Sequence, residues 1–175
     1  MTLKDKKVAF LVADGVEDLE FYAVAMRLQE EGMTVLTAAM DLKPISGKGG
    51  LAIKPDAIIA DLNAEELFAI VLPGGWAPDK LRRFKEVTDL VAKMDKQGKV
   101  IGIICHGGLI AISAKIVAGR KSVGSLGIKD DLLNAGAEWV DKAAFRDGNQ
   151  VWGRVVADIP AFNRELVAAF KEAAA

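Results

Sequence analysis

The chain has one cysteine and one histidine in 175 residues, and that scarcity closes several routes at once. A single Cys cannot form an intramolecular disulfide, which agrees with a reducing compartment. One Cys with one His cannot build a structural zinc site, and no metal or other cofactor is expected. A lone His also excludes any Cys–His dyad whose imidazole comes from a distant segment, so a proton acceptor for the thiol must be His106 or a carboxylate. Charge of one sign is missing too. The 23 Lys and Arg nearly balance the 24 Asp and Glu, leaving a formal net charge of -1 and no electrostatic case for nucleic acid or an anionic membrane as partner. Lys4-Asp5-Lys6-Lys7 and Lys80 to Arg83 read as solvated faces. Long apolar runs are also lacking. The stretch Val8 to Ala13 is too short for a secretory signal and nothing spans a bilayer, so a cytoplasmic protein is expected. The sequence contains no dinucleotide fingerprint, no Gly-Lys-Ser/Thr phosphate loop, no repeat and no low-complexity linker.

What is present is the balance of one globular domain over residues 1–175, with 51% hydrophobic and 27% charged residues and a sizeable core. Val8 to Ala13 predict a buried strand, followed by a helix with Leu19, Ala23, Met26 and Leu28 inward and Gly32 at its end. Thr34 to Ala39, Ile70 to Leu72 and Val100 to Ile104 predict further strands, the third running into Pro73-Gly74-Gly75. Ser46 to Ile53 reads as a small hairpin at the sheet edge, with no functional claim attached. Leu109 to Val117, Lys129 to Ala135 and Phe162 to Phe170 read as helices, and Trp139, Val140, Phe145, Val151 and Trp152 as edge strands around a turn at Asp147-Gly148-Asn149. Strands alternating with helices imply a parallel sheet covered on both faces, with ligands bound outside the carboxyl ends of the strands. The loops leaving the first, third and fourth strands carry Glu17, Gly74-Gly75 and Cys105, so three separated segments converge on one edge.

Cys105 precedes His106 in VIGIICHGGLIAI, where a buried strand turns into a helix. There the free N–H groups and the positive end of the helix dipole favour a thiolate. The same geometry defines a nucleophile elbow, in which the next residue's N–H helps hold an oxyanion. The plainer reading is a small buried apolar Cys and a His that caps the helix. Glu17 is the best-placed carboxylate by loop topology, and taken alone it is as well explained by helix capping. Gly74-Gly75 brings backbone N–H groups close to a reacting atom or simply makes a turn. Asp79 caps the helix beginning near Lys80 or serves the same edge.

The segments Val-Glu-Asp-Leu-Glu, Leu-Pro-Gly-Gly-Trp-Ala-Pro-Asp, Ile-Cys-His-Gly, Gly-Ile-Lys-Asp-Asp, Asn-Ala-Gly-Ala-Glu-Trp-Val-Asp and Ile-Pro-Ala-Phe-Asn-Arg-Glu-Leu span nearly the whole chain. Together they resemble the DJ-1/PfpI superfamily, in its PfpI-type intracellular protease branch. The resemblance implies a flavodoxin-like α/β sandwich with a mainly parallel sheet, an oxidation-prone cysteine nucleophile on a strand-to-helix elbow, and a homodimer or ring of dimers. It implies Cys105 as nucleophile, Glu17 as the carboxylate that hydrogen-bonds its sulfur, His106 as the adjacent imidazole, and Gly74, Gly75 and the His106 N–H as the oxyanion segment. In protease-like members an acidic residue of a neighbouring subunit completes a triad. Asp79 stands there, one methylene shorter than Glu. Gly108, Leu126-Gly127, Trp152-Gly153 and Val156 depart from the usual pattern, so the pocket wall, expected from Trp76, Gly107, Leu126 and Trp152, is this chain's own. The leading expectation is a glyoxalase- or deglycase-type enzyme acting on small reactive carbonyls or their protein adducts. A cysteine peptidase using Cys105, His106 and Asp79, and a non-enzymatic redox sensor or chaperone, are the alternatives.

Overall fold

A computed structural model describes residues 2–175. Its elements run β1 (Lys7–Leu11), α1 (Asp18–Glu30), β2 (Thr34–Ala39), β3 (Ile45–Ser46), β4 (Ala52–Ile53), β5 (Ala57–Ile58), β6 (Ala69–Leu72), α2 (Ala77–Leu81), α3 (Lys85–Lys96), β7 (Val100–Ile104), α4 (Gly108–Ser113), β8 (Lys121–Ser122), α5 (Lys129–Asn134), β9 (Glu138–Trp139), β10 (Ala144–Asp147), β11 (Gln150–Gly153) and α6 (Ile159–Ala173). The main sheet has the order β10-β11-β7-β6-β1-β2-β5. All its pairings are parallel except β10 with β11. Its five central strands, taken in chain order, follow the flavodoxin-like 2-1-3-4-5 pattern, so the fold expected from alternating strands and helices is the fold found. α1 and α6 pack on one face, α6 against β7 and β11, while α3 and α4 pack together on the other.

β6 and β7 are buried at every position, as their continuous apolar runs require when helices cover both faces. No helix among the described residues is long and apolar enough to cross a membrane.

Three local expectations change. α1 does not bury Leu19 and Met26, which are 51% and 60% exposed; its inner face is Phe21, Val24, Ala25 and Leu28, with Asp18 and Glu20 buried beside them. The two carboxylates occupy buried places in the first turn and disguise the stripe. The hairpin is a separate ribbon of β3 and β4 rather than an edge of the main sheet. β11 is not an edge strand either. It lies between β10 and β7, and Trp152 on it is fully buried.

Candidate functional site

β7 delivers its last residue, Ile104, to a short 3-10 turn of Cys105–Gly107 that leads into α4. Cys105 is held at φ 58°, the left-handed region that costs a non-glycine residue about 1 kcal/mol or more. Behind the turn, Gly107 packs on the Leu72 carbonyl so closely that a Cβ would lie 2.1 Å from its oxygen. This corrects the expectation for Gly107, which backs the elbow and does not line the pocket. The corner is the elbow predicted from the sequence, and strain stored there is overcome by the packing around it.

The carboxylate beside the sulfur is Glu20, not Glu17. Glu20 is fully buried, and its Oε2 accepts the Gly74 N–H at 2.6 Å. A Cβ on Gly74 would lie 2.6 Å from that oxygen, 2.7 Å from Cys105 Cβ and 2.9 Å from His106 N, so three segments meet at this glycine. Because its N–H is given to Glu20, Gly74 is not an oxyanion donor. Oε1 of Glu20 is buried without a conventional hydrogen-bond partner. The Cys105 thiol is the polar neighbour that couples to this carboxyl.

Burial pushes the Glu20 carboxyl up to about 7 against the pull of the Gly74 N–H. Burial and the Glu20 charge likewise push Cys105 up to about 12, opposed by the His106 and Gly75 N–H groups directed at the sulfur. This overturns the expectation that the elbow lowers the thiol's pKa, because burial and then the acid next to it outweigh the two N–H groups. The pair therefore gives up one proton near neutrality and keeps the other far into alkali. Hydrogen bonding decides where the retained proton sits. On Glu20 it satisfies the orphaned Oε1 and donates to a thiolate that already receives two N–H groups; on sulfur it leaves an ionised oxygen buried and unpaired.

His106 Nδ1 is 3.3 Å from the Cys105 Sγ. Burial and then Lys48 hold its pKa below the ordinary value, so the imidazole is neutral at pH 7. Gly75 has φ 75° and bridges Val16. A Cβ there would strike the Gly15 carbonyl at 2.3 Å, so only glycine can place this N–H.

The cavity over the sulfur has a volume of about 370 Å³ and is lined by Glu17, Glu20, Lys48, Gly75, Trp76, Cys105, His106, Ser125 and Val155 to Ala157. That is room for about a dozen waters at ~30 Å³ each. Glu17 stands at its mouth, 3.5 Å from Lys48 Nζ. Trp76 forms part of the wall, as expected, while Leu126 is 76% exposed and Trp152 belongs to the core; neither lines the cavity. Asp79 is also outside it, exposed on α2 and paired with Arg83. Within one chain, Cys105, His106 and Gly75 come together as the sequence suggested, and Asp79 does not join them. Glu20, Lys48 and Ser125 join the cavity from segments to which sequence reasoning gives them no chemical role. Among the described residues no group of three or more His, Cys, Asp or Glu could hold a metal ion.

A strained cysteine at a strand-to-helix corner, two N–H groups on its sulfur and a buried carboxyl sharing its proton, all on a flavodoxin-like sheet, define a cysteine-nucleophile α/β protein. The DJ-1/PfpI family model matches residues 6–169, and the chain belongs to that family. It is 44% identical over 165 residues to a deglycase of Pyrococcus horikoshii, covering 94% of this chain and 99% of the relative. It is 37% identical to the protein/nucleic acid deglycase 2 of Escherichia coli, covering 93% and 96%. Among solved structures it superposes with TM-score 0.92 at 33% identity on a two-domain protein of Anabaena variabilis with DJ-1/ThiJ/PfpI-like and ferritin-like domains, covering 94% of this chain and 48% of that one.

Proposed function

We propose that this chain is a cysteine enzyme acting on small reactive carbonyls, above all 2-oxoaldehydes, or on the adducts they form with protein side chains. The observation that carries this reading is the buried Glu20 carboxyl sharing a proton with Cys105. The Cys105 sulfur adds to the aldehyde carbon. The carbonyl oxygen takes the negative charge beside the Gly75 and His106 N–H groups, and the Glu20 proton completes the hemithioacetal. Glu20, now ionised, removes the proton from that carbon and returns it to the neighbouring one while the hydroxyl proton passes to the neighbouring oxygen, converting the hemithioacetal to the thioester of a 2-hydroxy acid. Water hydrolyses the thioester, releasing a 2-hydroxy acid and the thiol. The net change adds one water and needs no external oxidant or reductant. A buried acid with a pKa near 7 suits both directions of transfer, and the deglycase names of close relatives support the assignment.

The peptidase alternative asks more of the site, since a leaving amine must be protonated by an imidazole that a carboxylate orients. In the single chain His106 has no such partner, and Asp79 is committed to Arg83. A protease of this kind would need a second subunit to supply the acid, whereas the carbonyl reading, for which assembly as a homodimer or ring of dimers is proposed as well, draws its acid from the same chain. The deciding measurement is methylglyoxal consumption by wild type and Cys105→Ala, with casein as a parallel substrate. Loss of carbonyl turnover in the variant is expected. Casein cleavage by wild type without methylglyoxal turnover would replace this reading with the peptidase.

A further inference from the structure

Isomerisation of the hemithioacetal develops charge on an oxygen that the elbow does not serve. The Gly75 and His106 N–H groups face the oxygen on the carbon bonded to sulfur. When Glu20 takes the proton from that carbon, the electron pair moves on to the oxygen of the neighbouring carbonyl. A carboxyl that titrates at about 7 is a weak base for a C–H bond, so the step needs a donor already in place at that second oxygen. Trp76 and Ser125 line the cavity as neutral groups, and the His106 imidazole is neutral at pH 7 because its pKa is held down. Among the described residues, Lys48 is the only Lys or Arg that lines it.

The Lys48 ammonium is 3.5 Å from Glu17 Oε2 and 5.9 Å from the centre of the Trp76 ring. Its charge lowers the pKa of both Glu20 and His106, the two groups beside the sulfur. The partly exposed pair with Glu17 holds its partners weakly, so two of the three ammonium protons remain available to a substrate. The loop that carries Lys48 is fastened to the site. The Lys48 N–H donates to the Val16 carbonyl at 2.8 Å, the Leu51 N–H donates to Asp18 Oδ1 at 2.9 Å, and the Gly49 N–H takes Asp18 Oδ2. Asp18 is only 5% exposed. A Cβ on Gly47 or Gly49 would lie 2.1 or 2.9 Å from its carboxylate, so the glycines flanking Lys48 are what let the carboxylate grip the loop from inside.

We propose that Lys48 is a catalytic residue, whose ammonium touches the oxygen of the second carbonyl, stabilises the enediolate formed there and carries the hydroxyl proton from one oxygen to the other. This deepens the carbonyl reading and rests on it. The balance closes within the site. The C–H bond at the sulfur-bearing carbon breaks toward Glu20, a C=C bond forms, and the former carbonyl oxygen takes a proton from the ammonium. The hydroxyl on the sulfur-bearing carbon then gives its proton to the Lys48 amine as its C=O bond forms, and the C=C electron pair takes the Glu20 proton at the neighbouring carbon. Lys48 ends as an ammonium and Glu20 as a carboxylate, as they began, and the product is the thioester of a 2-hydroxy acid. An aldehyde without a second carbonyl stops at the hemithioacetal.

That difference supplies the test. Acetaldehyde forms the hemithioacetal and goes no further, so its protection of Cys105 from iodoacetamide reads the first step alone and should be nearly the same in wild type and Lys48→Met. With methylglyoxal, kcat for release of the 2-hydroxy acid should fall about 10²- to 10³-fold in Lys48→Met, the size of losing one preorganised donor to a developing oxyanion. Substrate deuterated at the aldehyde carbon should show a primary isotope effect on the turnover that remains. A near-wild-type kcat in Lys48→Met overturns the proposal. So does a loss matched by an equal loss of acetaldehyde protection, or one with no isotope effect, since either puts the defect in another step. If wild type forms no 2-hydroxy acid from methylglyoxal while acetaldehyde still protects Cys105, the function proposed above fails and the role of Lys48 fails with it.

Discussion

Glu20→Gln isolates the shared proton. The amide keeps an oxygen for the Gly74 N–H, 2.6 Å from Oε2 in the wild type, and turns an N–H toward the sulfur, so the shape of the site is preserved while its acid is removed. In the wild type the first proton leaves the pair at about 7, and labelling of Cys105 by iodoacetamide should rise through that midpoint. In the variant the thiol must ionise without a carboxyl to hand its proton to, beside a weaker donor. Burial still opposes the charge, and the midpoint should move up toward the ordinary thiol value of about 8.5. A midpoint of 8.5 leaves about 3% thiolate at pH 7 against about half in the wild type, so labelling at pH 7 should fall about 15-fold. Turnover of methylglyoxal should fall further, by about a hundredfold or more, because the variant also loses the group that moves protons between the two carbons. Rate–pH profiles for labelling and turnover on the same preparations give both numbers. A midpoint that stays at or drops below that of the wild type, or turnover lost only in proportion to labelling, would refute the shared-proton account.

Two further substitutions probe residues that the structure moves out of the site. Asp79→Ala removes an exposed ion pair with Arg83 and should change stability by no more than about 1 kcal/mol while leaving methylglyoxal turnover near wild type; a collapse of turnover in folded protein would bring Asp79 back into the mechanism. Trp152→Ala empties a fully buried position in β11 and should cost about 3 to 5 kcal/mol in urea denaturation, with KM unchanged in the folded fraction, whereas a selective rise in KM at unchanged stability would return Trp152 to the pocket wall.

The sheet was legible because burial on both faces writes continuous apolar runs into β1, β6 and β7, and the elbow was legible because Cys-His-Gly-Gly follows such a run directly. The choice between Glu17 and Glu20 turned on helix phase. Glu20 stands one turn before Val24 and two before Leu28, on the stripe α1 buries, and a carboxylate on that stripe is the signal that names it. The loop position of Glu17 was the more visible cue, and it led to the mouth of the cavity. Lys48 left no local trace, since the loop that brings it to the cavity is held by hydrogen bonds from the Gly49 and Leu51 N–H groups to Asp18, 30 residues before Lys48 in the chain. Trp152 was misplaced because nothing near it announces that β11 runs parallel to β7 and is covered on its outer side by β10.

Glu20, Gly75 and Cys105 hang from β1, β6 and β7, which are neighbours in the sheet but lie far apart along the chain, with Val8 opposite Ala69 and Ala69 opposite Val100. Parallel neighbours cannot be joined by a tight turn, and each pairing closes a long loop before it gains a contact. The reactive centre is thus complete only once all three strands are paired. Until the third strand docks, the thiol has neither its two N–H partners nor its acid and behaves as an ordinary cysteine. A partly unfolded chain therefore carries only an ordinary thiol, and the sharing of one proton by two buried groups doubles as a certificate that the parallel ladder is in register.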